Sequence, residues 1–289
     1  MKIPAYAKIN LYLDVMERRS DGFHNIKSIM HRVSLCDYVS ADKSESGGCI
    51  ITVNCGDASI PSGEGNLVWK AAKLFFTHYG IENYNVTFDI EKHIPVSGGL
   101  AGGSTDAAAA LVLLNELYDT GASTYELCEI GAQIGSDVPF CVVGGSCITL
   151  GRGEELEYLP TDLKLNLVIA KGGEGVSTPA AYRRIDEAYG DSLSEDFGDF
   201  ESAVGAVCAS DASAVVSSMY NTFESVVLDS HKEASFAKSF MTDSEGCIGA
   251  MLSGSGPSVF GIFNDRESAE KVQRELAARG YEAHACTSI

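Results

Sequence analysis

From Pro95 to Asp106 the chain reads Pro-Val-Ser-Gly-Gly-Leu-Ala-Gly-Gly-Ser-Thr-Asp, ending directly before an alanine-rich helix expected over Ala107 to Tyr118. Four glycines and Ala101 let the main chain come close to a ligand, and the unpaired amides of a helix start favour an anion. The chemistry this run could do is to hold a phosphate, largely by backbone. It is not a lysine-bearing nucleotide loop, because no Lys-Ser/Thr pair follows the glycines, and it lacks the spacing of a dinucleotide fold. A tight connection with no ligand is the competing reading of the same residues. A second chemical candidate is Asp137, in Gly135-Ser-Asp-Val-Pro-Phe140. Pro139 stops or restarts a helix there. A carboxylate at such a junction serves equally well as a helix N-cap or as a proton acceptor.

Charge narrows the partners. The 289 residues carry a formal charge of −19, which opposes a nucleic-acid surface and also repels phosphorylated small molecules. A phosphate site therefore needs a local positive field. Residues 1–32 hold Lys2, Lys8, Arg18, Arg19, Lys27 and Arg32 against Asp14, Glu17 and Asp21, with His24 and His31 besides. That segment is net positive, and opposite charges a few ångströms apart near a surface interact by roughly 4 kcal/mol, more than a distant charge screened by salt. Chance clustering on a solvated face would look the same.

The positioning elements follow from periodicity. Lys8 to Met16 alternates, with Ile9, Leu11, Leu13 and Val15 on one side and Lys8, Asn10, Tyr12 and Asp14 on the other. This predicts a half-buried strand with Lys8 and Asn10 on its polar face. Arg18 to Gly22 reads as a turn, and His24–Val39, Ile50–Cys55 and Tyr84–Ile90 as strands, with a loose link at Ser44–Gly48. Asn66 to Tyr79 reads as a helix capped by Asn66 and ended by Gly80. Ser123-Thr-Tyr-Glu126 is a capping box opening a helix that ends near Gly135.

Later, Cys147–Leu150 and Leu165–Ala170 read as strands, and Asp186–Asp211 holds an exposed acidic connection. Ala250–Phe263 reads as strand, Ser253-Gly-Ser-Gly-Pro257 turn, strand. A helix opened by Asn264-Asp-Arg-Glu267 and closed by Gly280 follows, then a strand over Glu282–Cys286. That ending predicts helices on an antiparallel sheet in an α+β domain. Nine cysteines without ligand spacing are expected to be reduced thiols, mostly small buried hydrophobes, in a cytoplasmic protein. The longest apolar run, Ala107–Leu114, is too short to span a membrane, and the N-terminus lacks a signal-peptide core.

Several stretches, in order along the chain, resemble the GHMP superfamily of small-molecule kinases. They are Ala7-Lys-Ile-Asn10, Arg18-Arg-Ser-Asp-Gly-Phe-His24, the run 95–106, Gly135–Phe140, Thr178-Pro179 with Tyr182, and Ser253-Gly-Ser-Gly256. The Ala-Lys-Ile-Asn strand and the Asp-Gly-Phe-His turn are similar to the branch acting on 4-diphosphocytidyl-2-C-methyl-D-erythritol. The resemblance implies a two-domain α+β GHMP-kinase fold, a ribosomal-protein-S5-like domain at 1–158 and a ferredoxin-like α/β sandwich at 159–289. It implies Lys8 and Asp137 as the catalytic pair, and Pro95, Val96, Ser97, Gly98, Gly99, Leu100, Ala101, Gly102, Gly103, Ser104 and Thr105 around the ATP phosphates. Gly99 to Gly103 would give amides there, and Ser104 and Thr105 hydroxyls.

By the same resemblance Phe23 and Tyr182 stack the cytosine, His24 reads its edge, Asn10 touches the erythritol or phosphate, and Thr178 lines the substrate site. ATP arrives with magnesium. No protein-bound metal or redox cofactor, no nucleic acid, no membrane, and a monomer or weak homodimer are expected. Three positions depart from the family pattern: Phe23 for a tyrosine, Asn221-Thr-Phe-Glu224 for Asn-Asp-Leu-Glu, and Ser97 for the first glycine of the loop. The last is tolerable only where that position avoids positive φ. The Asn221–Glu224 change reads as structural variation.

Overall fold

A computed structural model describes residues 1–45, 47–190, 193 and 198–289. In chain order its elements are β1 (Lys2–Arg18), β2 (His24–Lys43), β3 (Cys49–Cys55), α1 (Leu67–His78), β4 (Tyr84–Glu91), α2 (Gly102–Tyr118), α3 (Thr124–Ala132) and α4 (Val138–Val143). There follow β5 (Ser146–Leu150), β6 (Glu155–Leu159), β7 (Asn166–Lys171), α5 (Thr178–Tyr189), α6 (Phe200–Cys208), α7 (Ala212–Ser218), β8 (Tyr220–Asn221) and α8 (Glu224–Val227). The last are α9 (Lys232–Thr242), β9 (Cys247–Leu252), β10 (Val259–Phe263), α10 (Arg266–Ala278) and β11 (Glu282–Thr287).

The described residues form two compact units. The first comprises Met1–Ala7, Cys36–Ile94 and Ala101–Gly144; the second comprises Lys8–Leu35, Pro95–Leu100 and Gly145–Ile289. The glycine run therefore changes unit between Leu100 and Ala101. The expected connections at Ser44–Gly48 and within 186–211 lie partly outside the described residues.

In the first unit β3 runs parallel to β4, and β4 pairs antiparallel with the Tyr38–Lys43 end of β2. Helices α1 and α2 contribute Phe75, Phe76, Ala107 to Leu111 and Leu114 to the core, with Val86 and Phe88 from β4. Asn66 caps α1 by accepting from the Val68 amide at 2.8 Å, as its sequence predicts. The Ser123–Glu126 capping box is likewise formed. Alanines at 107–110 present no bulk, which suits a helix whose face is entirely enclosed.

In the second unit four strands form an antiparallel sheet in the order β11-β7-β10-β9. Its core joins Val168, Leu252, Val259 and Phe263 from the strands to Ala237 and Met241 of α9 and Val272 and Leu276 of α10. This is the sheet and helix layering read from the C-terminal sequence. Asp265 caps α10 through the Ser268 amide. Also in this unit, β5 pairs antiparallel with Ser28–His31 of β2 and with β6, while β8 joins β1 in parallel at Tyr12 and Leu13.

Four expectations are corrected. Strand β1 is enclosed on both faces from Ala7 to Met16, so Lys8, Asn10, Tyr12 and Asp14 form a buried polar row and not a solvated one. Helix α2 starts at Gly102, five residues earlier than its alanines suggest, because the glycines and Ser104 form its first turn. Ser97 does take positive φ, 54°, the very condition under which its replacement of glycine is strained. Of the nine free cysteines only Cys147 is buried, so most are not core hydrophobes; burial nonetheless pushes the Cys286 thiol up to about 12.

Candidate active site

In the second unit the site is built around Lys8, which is only 4% exposed. Its backbone amide donates to the Leu100 carbonyl at 3.2 Å, tying β1 to the glycine run. Its ammonium donates to Asn10 Oδ1 at 2.7 Å. The Asn10 amide nitrogen donates in turn to Ser28 Oγ at 2.8 Å, and Ser28 donates to the Tyr12 carbonyl at 2.6 Å. This chain fixes which end of the Asn10 amide faces the ammonium. Asn10, expected to touch substrate, spends its amide on orienting Lys8.

The glycine run and the Ser253–Ser258 turn meet backbone to backbone. A Cβ built on Gly99 would lie 2.2 Å from the Ser253 carbonyl oxygen, and one on Gly98 2.5 Å from Ser258 Oγ. The Ser258 amide donates to the Gly98 carbonyl, and Ser253 Oγ to that of Gly99. A Cβ on Gly254 would sit 2.9 Å from the Gly99 carbonyl oxygen and 3.4 Å from Lys8 Nζ. Steric room for this approach is the reason for these glycines. Leu100 is buried and contributes packing.

Asn221, the first residue of the Asn-Thr-Phe-Glu stretch read as structural variation and unchanged from the family pattern, holds that turn. Buried at the end of β8, it donates to the carbonyls of Leu252 at 2.8 Å and Gly254 at 3.0 Å, and accepts from the Phe223 amide. Thr222 donates to the buried Asp14 carboxylate at 2.9 Å, where an aspartate would bring two carboxylates together. Glu224 accepts from the Leu252 amide and from Lys238. Thr178 Oγ1 shares a hydrogen bond of 2.9 Å with Ser255 Oγ, joining the start of α5 to the same turn.

Also in this unit, His24 is buried and stacks on Tyr182, ring centroids 5.0 Å apart and planes 15° from parallel. Its Nε2 lies 2.7 Å from Asp186 Oδ1. A carboxylate only accepts, so Nε2 carries the hydrogen, and in the neutral ring Nδ1 is an acceptor. Tyr182 has one face taken by His24 and meets Phe223 edge-on. Phe23 is 55% exposed, with the Arg152 guanidinium 5.2 Å from its ring centre. Arg152 is itself held by Glu154. Phe23 is the aromatic face that stays open to solvent.

In the first unit, Ala101 adopts φ 59° as the N-cap of α2 and offers no side-chain acceptor to the helix amides. The start of a 17-residue helix is left uncapped by its own N-cap residue, which suits an anionic group. Gly103 is exposed and Ser104 half-exposed. Thr105 differs from expectation: it is buried, and its hydroxyl proton goes to the Tyr6 carbonyl at 2.8 Å, anchoring the helix. Asp137 stands at the N-cap position of α4, yet its side chain makes no capping hydrogen bond. Its loop borders the start of α2, since a Cβ on Gly135 would lie 3.9 Å from Ser104 Oγ. Close packing of Gly131 on Val138, where a Cβ would come within 2.8 Å, sets α4 against α3.

Sequence reasoning missed a buried ion cluster in this unit. Lys92 pairs with Asp37 and, at 2.8 Å, with Asp106. The other Asp37 oxygen accepts from the amides of His93 and Ile94. Burial raises the Asp106 carboxyl to about 7 against the opposing pull of Lys92, with Asp37 adding to the rise. Burial lowers the Lys92 ammonium, but the two carboxylates outweigh it and its pKa rises. The only advance signal was a lysine next to the glycine run.

Comparison with known proteins fits these features. Residues 66–145 match the GHMP kinases N-terminal domain, and residues 203–282 match the GHMP kinases C-terminal region. The chain is 41% identical to 4-diphosphocytidyl-2-C-methyl-D-erythritol kinase of Clostridium novyi, over 92% of each chain. It is 39% identical to the enzyme of that name from Moorella thermoacetica, over 96% of this chain and 94% of the relative. A crystal structure of 4-(cytidine 5'-diphospho)-2C-methyl-D-erythritol kinase superposes with a TM-score of 0.82 at 28% identity, covering 100% of this chain and 99% of that one. The chain belongs to the GHMP kinases and, within them, to the 4-diphosphocytidyl-2-C-methyl-D-erythritol kinase family.

Proposed function

We propose that the protein transfers the γ-phosphoryl group of ATP to the 2-hydroxyl of 4-diphosphocytidyl-2-C-methyl-D-erythritol, giving the 2-phosphate and ADP, a step in non-mevalonate isoprenoid synthesis. Asp137 accepts the hydroxyl proton as the oxygen attacks the γ-phosphorus, and the bond to the β-phosphate oxygen breaks. The Lys8 ammonium, oriented by Asn10, stabilises charge on the group in transfer. Residues 95–105 cradle the ATP phosphates, with Thr105 serving as helix anchor. Magnesium comes with ATP as part of that substrate. Phe23 stacks the cytosine, and Nδ1 of His24 accepts from its exocyclic amine. A cytoplasmic location suits these small soluble substrates.

One observation carries this reading: Lys8 and the Asp137 loop are each tied to the same glycine run. Lys8 bonds Leu100 in the second unit, and Gly135 adjoins Ser104 in the first. The proposed division at 158/159 falls between the two family matches, whereas the compact units assign Lys8–Leu35, Pro95–Leu100 and Gly145 onward to the second. The test is a coupled ADP-release assay with both substrates. Asp137→Asn and Lys8→Ala are expected to lose at least ~100-fold in kcat while still binding ATP, the usual worth of a positioned proton acceptor. Near-normal turnover of the Asp137→Asn protein would overturn the base assignment.

A further inference from the structure

Two buried carboxylates and a half-buried lysine of the first unit that no catalytic step uses are joined across the glycine run. Asp37 on β2 holds the amides of His93 and Ile94, the last residues before the run. Asp106 on α2 is its last residue, directly after the proposed cradle 95–105. Lys92 bridges the two carboxylates. Asp37 is fully buried, and Asp106 is 4% exposed with its Oδ1 making no hydrogen bond. Nothing in local packing needs two carboxylates here, since burying charge is costly and an apolar replacement is often neutral or better.

The arrangement does have a consequence for an anion. Asp106 sits at the fifth residue of α2, the helix whose uncapped amides face the proposed phosphate cradle. A bare carboxylate there would oppose a bound phosphate. The Lys92 ammonium offsets it in part and, through Asp37, fixes the entry of the run relative to its exit. Gly102 lies close enough that a Cβ on it would come within 3.3 Å of Lys92 Nζ.

We propose that Lys92, Asp37 and Asp106 are positioning residues for ATP: an ion brace that clamps both ends of the glycine run and shields its amides from the buried negative charge. The inference rests on the assignment of residues 95–105 to the ATP phosphates. It concerns ATP alone, so the cytidyl substrate provides an internal control.

The experiment measures KM for each substrate and kcat in Lys92→Met, Lys92→Arg and Asp106→Asn, with Ser104→Ala as a probe of the cradle itself. The brace predicts a tenfold or greater rise in KM for ATP in Lys92→Met, less than twofold change in KM for the cytidyl substrate, and recovery to within threefold in Lys92→Arg. Asp106→Asn, which keeps an acceptor for Lys92 and removes a charge, is expected to hold or lower KM for ATP. Should Lys92→Met fail to fold, Lys92→Arg and Asp106→Asn carry the test by ATP titration calorimetry, and a tenfold weaker ATP affinity in both overturns the brace. A raised ATP KM in Ser104→Ala beside an unchanged Lys92→Met overturns the brace and leaves the cradle standing. No ATP effect in either overturns both. An effect in Lys92→Met but none in Ser104→Ala, or equal rises for both substrates, also overturns the brace as stated.

Discussion

The Lys8 ammonium donates to Asn10 Oδ1 at 2.7 Å, two residues along one buried strand face. Neighbours on one face of a strand point the same way, so the partner is supplied by β1 itself. Ser28 takes the other end of the amide and prevents its rotation. Replacing Asn10 with Ala removes the side-chain acceptor that β1 itself gives the buried ammonium. We expect kcat to fall about tenfold or more, with a stability loss of about 1–3 kcal/mol for the buried hydrogen bond removed. Steady-state kinetics and urea unfolding of the same preparation separate the two effects. Unchanged kcat would show that Lys8 needs no orienting partner.

Ser97 at φ 54° carries a cost that a glycine would not. A left-handed conformation costs an L-residue about 1–2 kcal/mol, while glycine adds back up to about 1 kcal/mol of unfolded-chain entropy. Ser97→Gly is therefore expected to stabilise the protein by about 0.5–1 kcal/mol, read as a higher urea midpoint at constant slope. A lower midpoint would mean that the Ser97 side chain contributes more than its strain removes.

Asp106 makes folding depend on pH. Its carboxyl is raised in the folded protein to about 7 from 3.8, chiefly by burial, so the folded state holds the proton more tightly. This contribution is fully present below about pH 4 and is lost as pH rises towards about 7, at no more than about 1.4 kcal/mol per pH unit. Asp106→Asn has no proton to lose. The stability difference between variant and wild type should shift in favour of the variant from pH 5 to pH 7.5 and level off above that. A difference that stays flat over this range would place the proton elsewhere.

How much of this was legible depended on distance along the chain. Caps at Asn66, Ser123 and Asp265 were readable because each bonds an amide two or three residues away. The alternation of β1 gave the correct faces, but the burial of its polar face needs the neighbouring strands and was invisible. Strand β6 was missed because its residues are acidic and mostly exposed along an edge paired only with β5. The start of α2 was misplaced because glycines have low helix propensity, a preference overridden here by tertiary structure. Asp37, Lys92 and Asp106 lie far apart in sequence, and no spacing rule joins a charge on β2 to one on α2. Candidate site residues rest on the family resemblance, while their supporting partners had no motif to announce them.

Under the proposed function, the His24–Asp186 contact bears on the cytidyl substrate alone. Asp186 fixes the hydrogen on Nε2 and, with Tyr182 beneath the ring, holds His24 at one angle. Asp186→Ala removes the lock without touching the phosphate-binding residues. KM for the cytidyl substrate is expected to rise about fivefold to tenfold, about the 1–1.4 kcal/mol that one hydrogen bond contributes net, with KM for ATP unchanged. Equal changes in both constants would point to a general loosening of α5.

Asn221 offers the sharpest test of the support beneath the glycine run. One side chain satisfies two buried carbonyls, Leu252 and Gly254, and the latter lies in the turn whose backbone abuts Gly99 and Lys8. Aspartate at 221 has nearly the same shape but no N–H to give, and it would aim a charge at two carbonyl oxygens. Asn221→Asp is expected to cost more than Asn221→Ala, although alanine leaves the larger void, because a buried charge facing acceptors adds to the loss of about 1–3 kcal/mol per unpaired group. Both variants should also lower kcat, since the turn they release is the surface against which Lys8 rests. The order of unfolding midpoints, wild type above alanine above aspartate at neutral pH, checks the argument. If aspartate were the milder change, volume and not hydrogen bonding would be what Asn221 supplies.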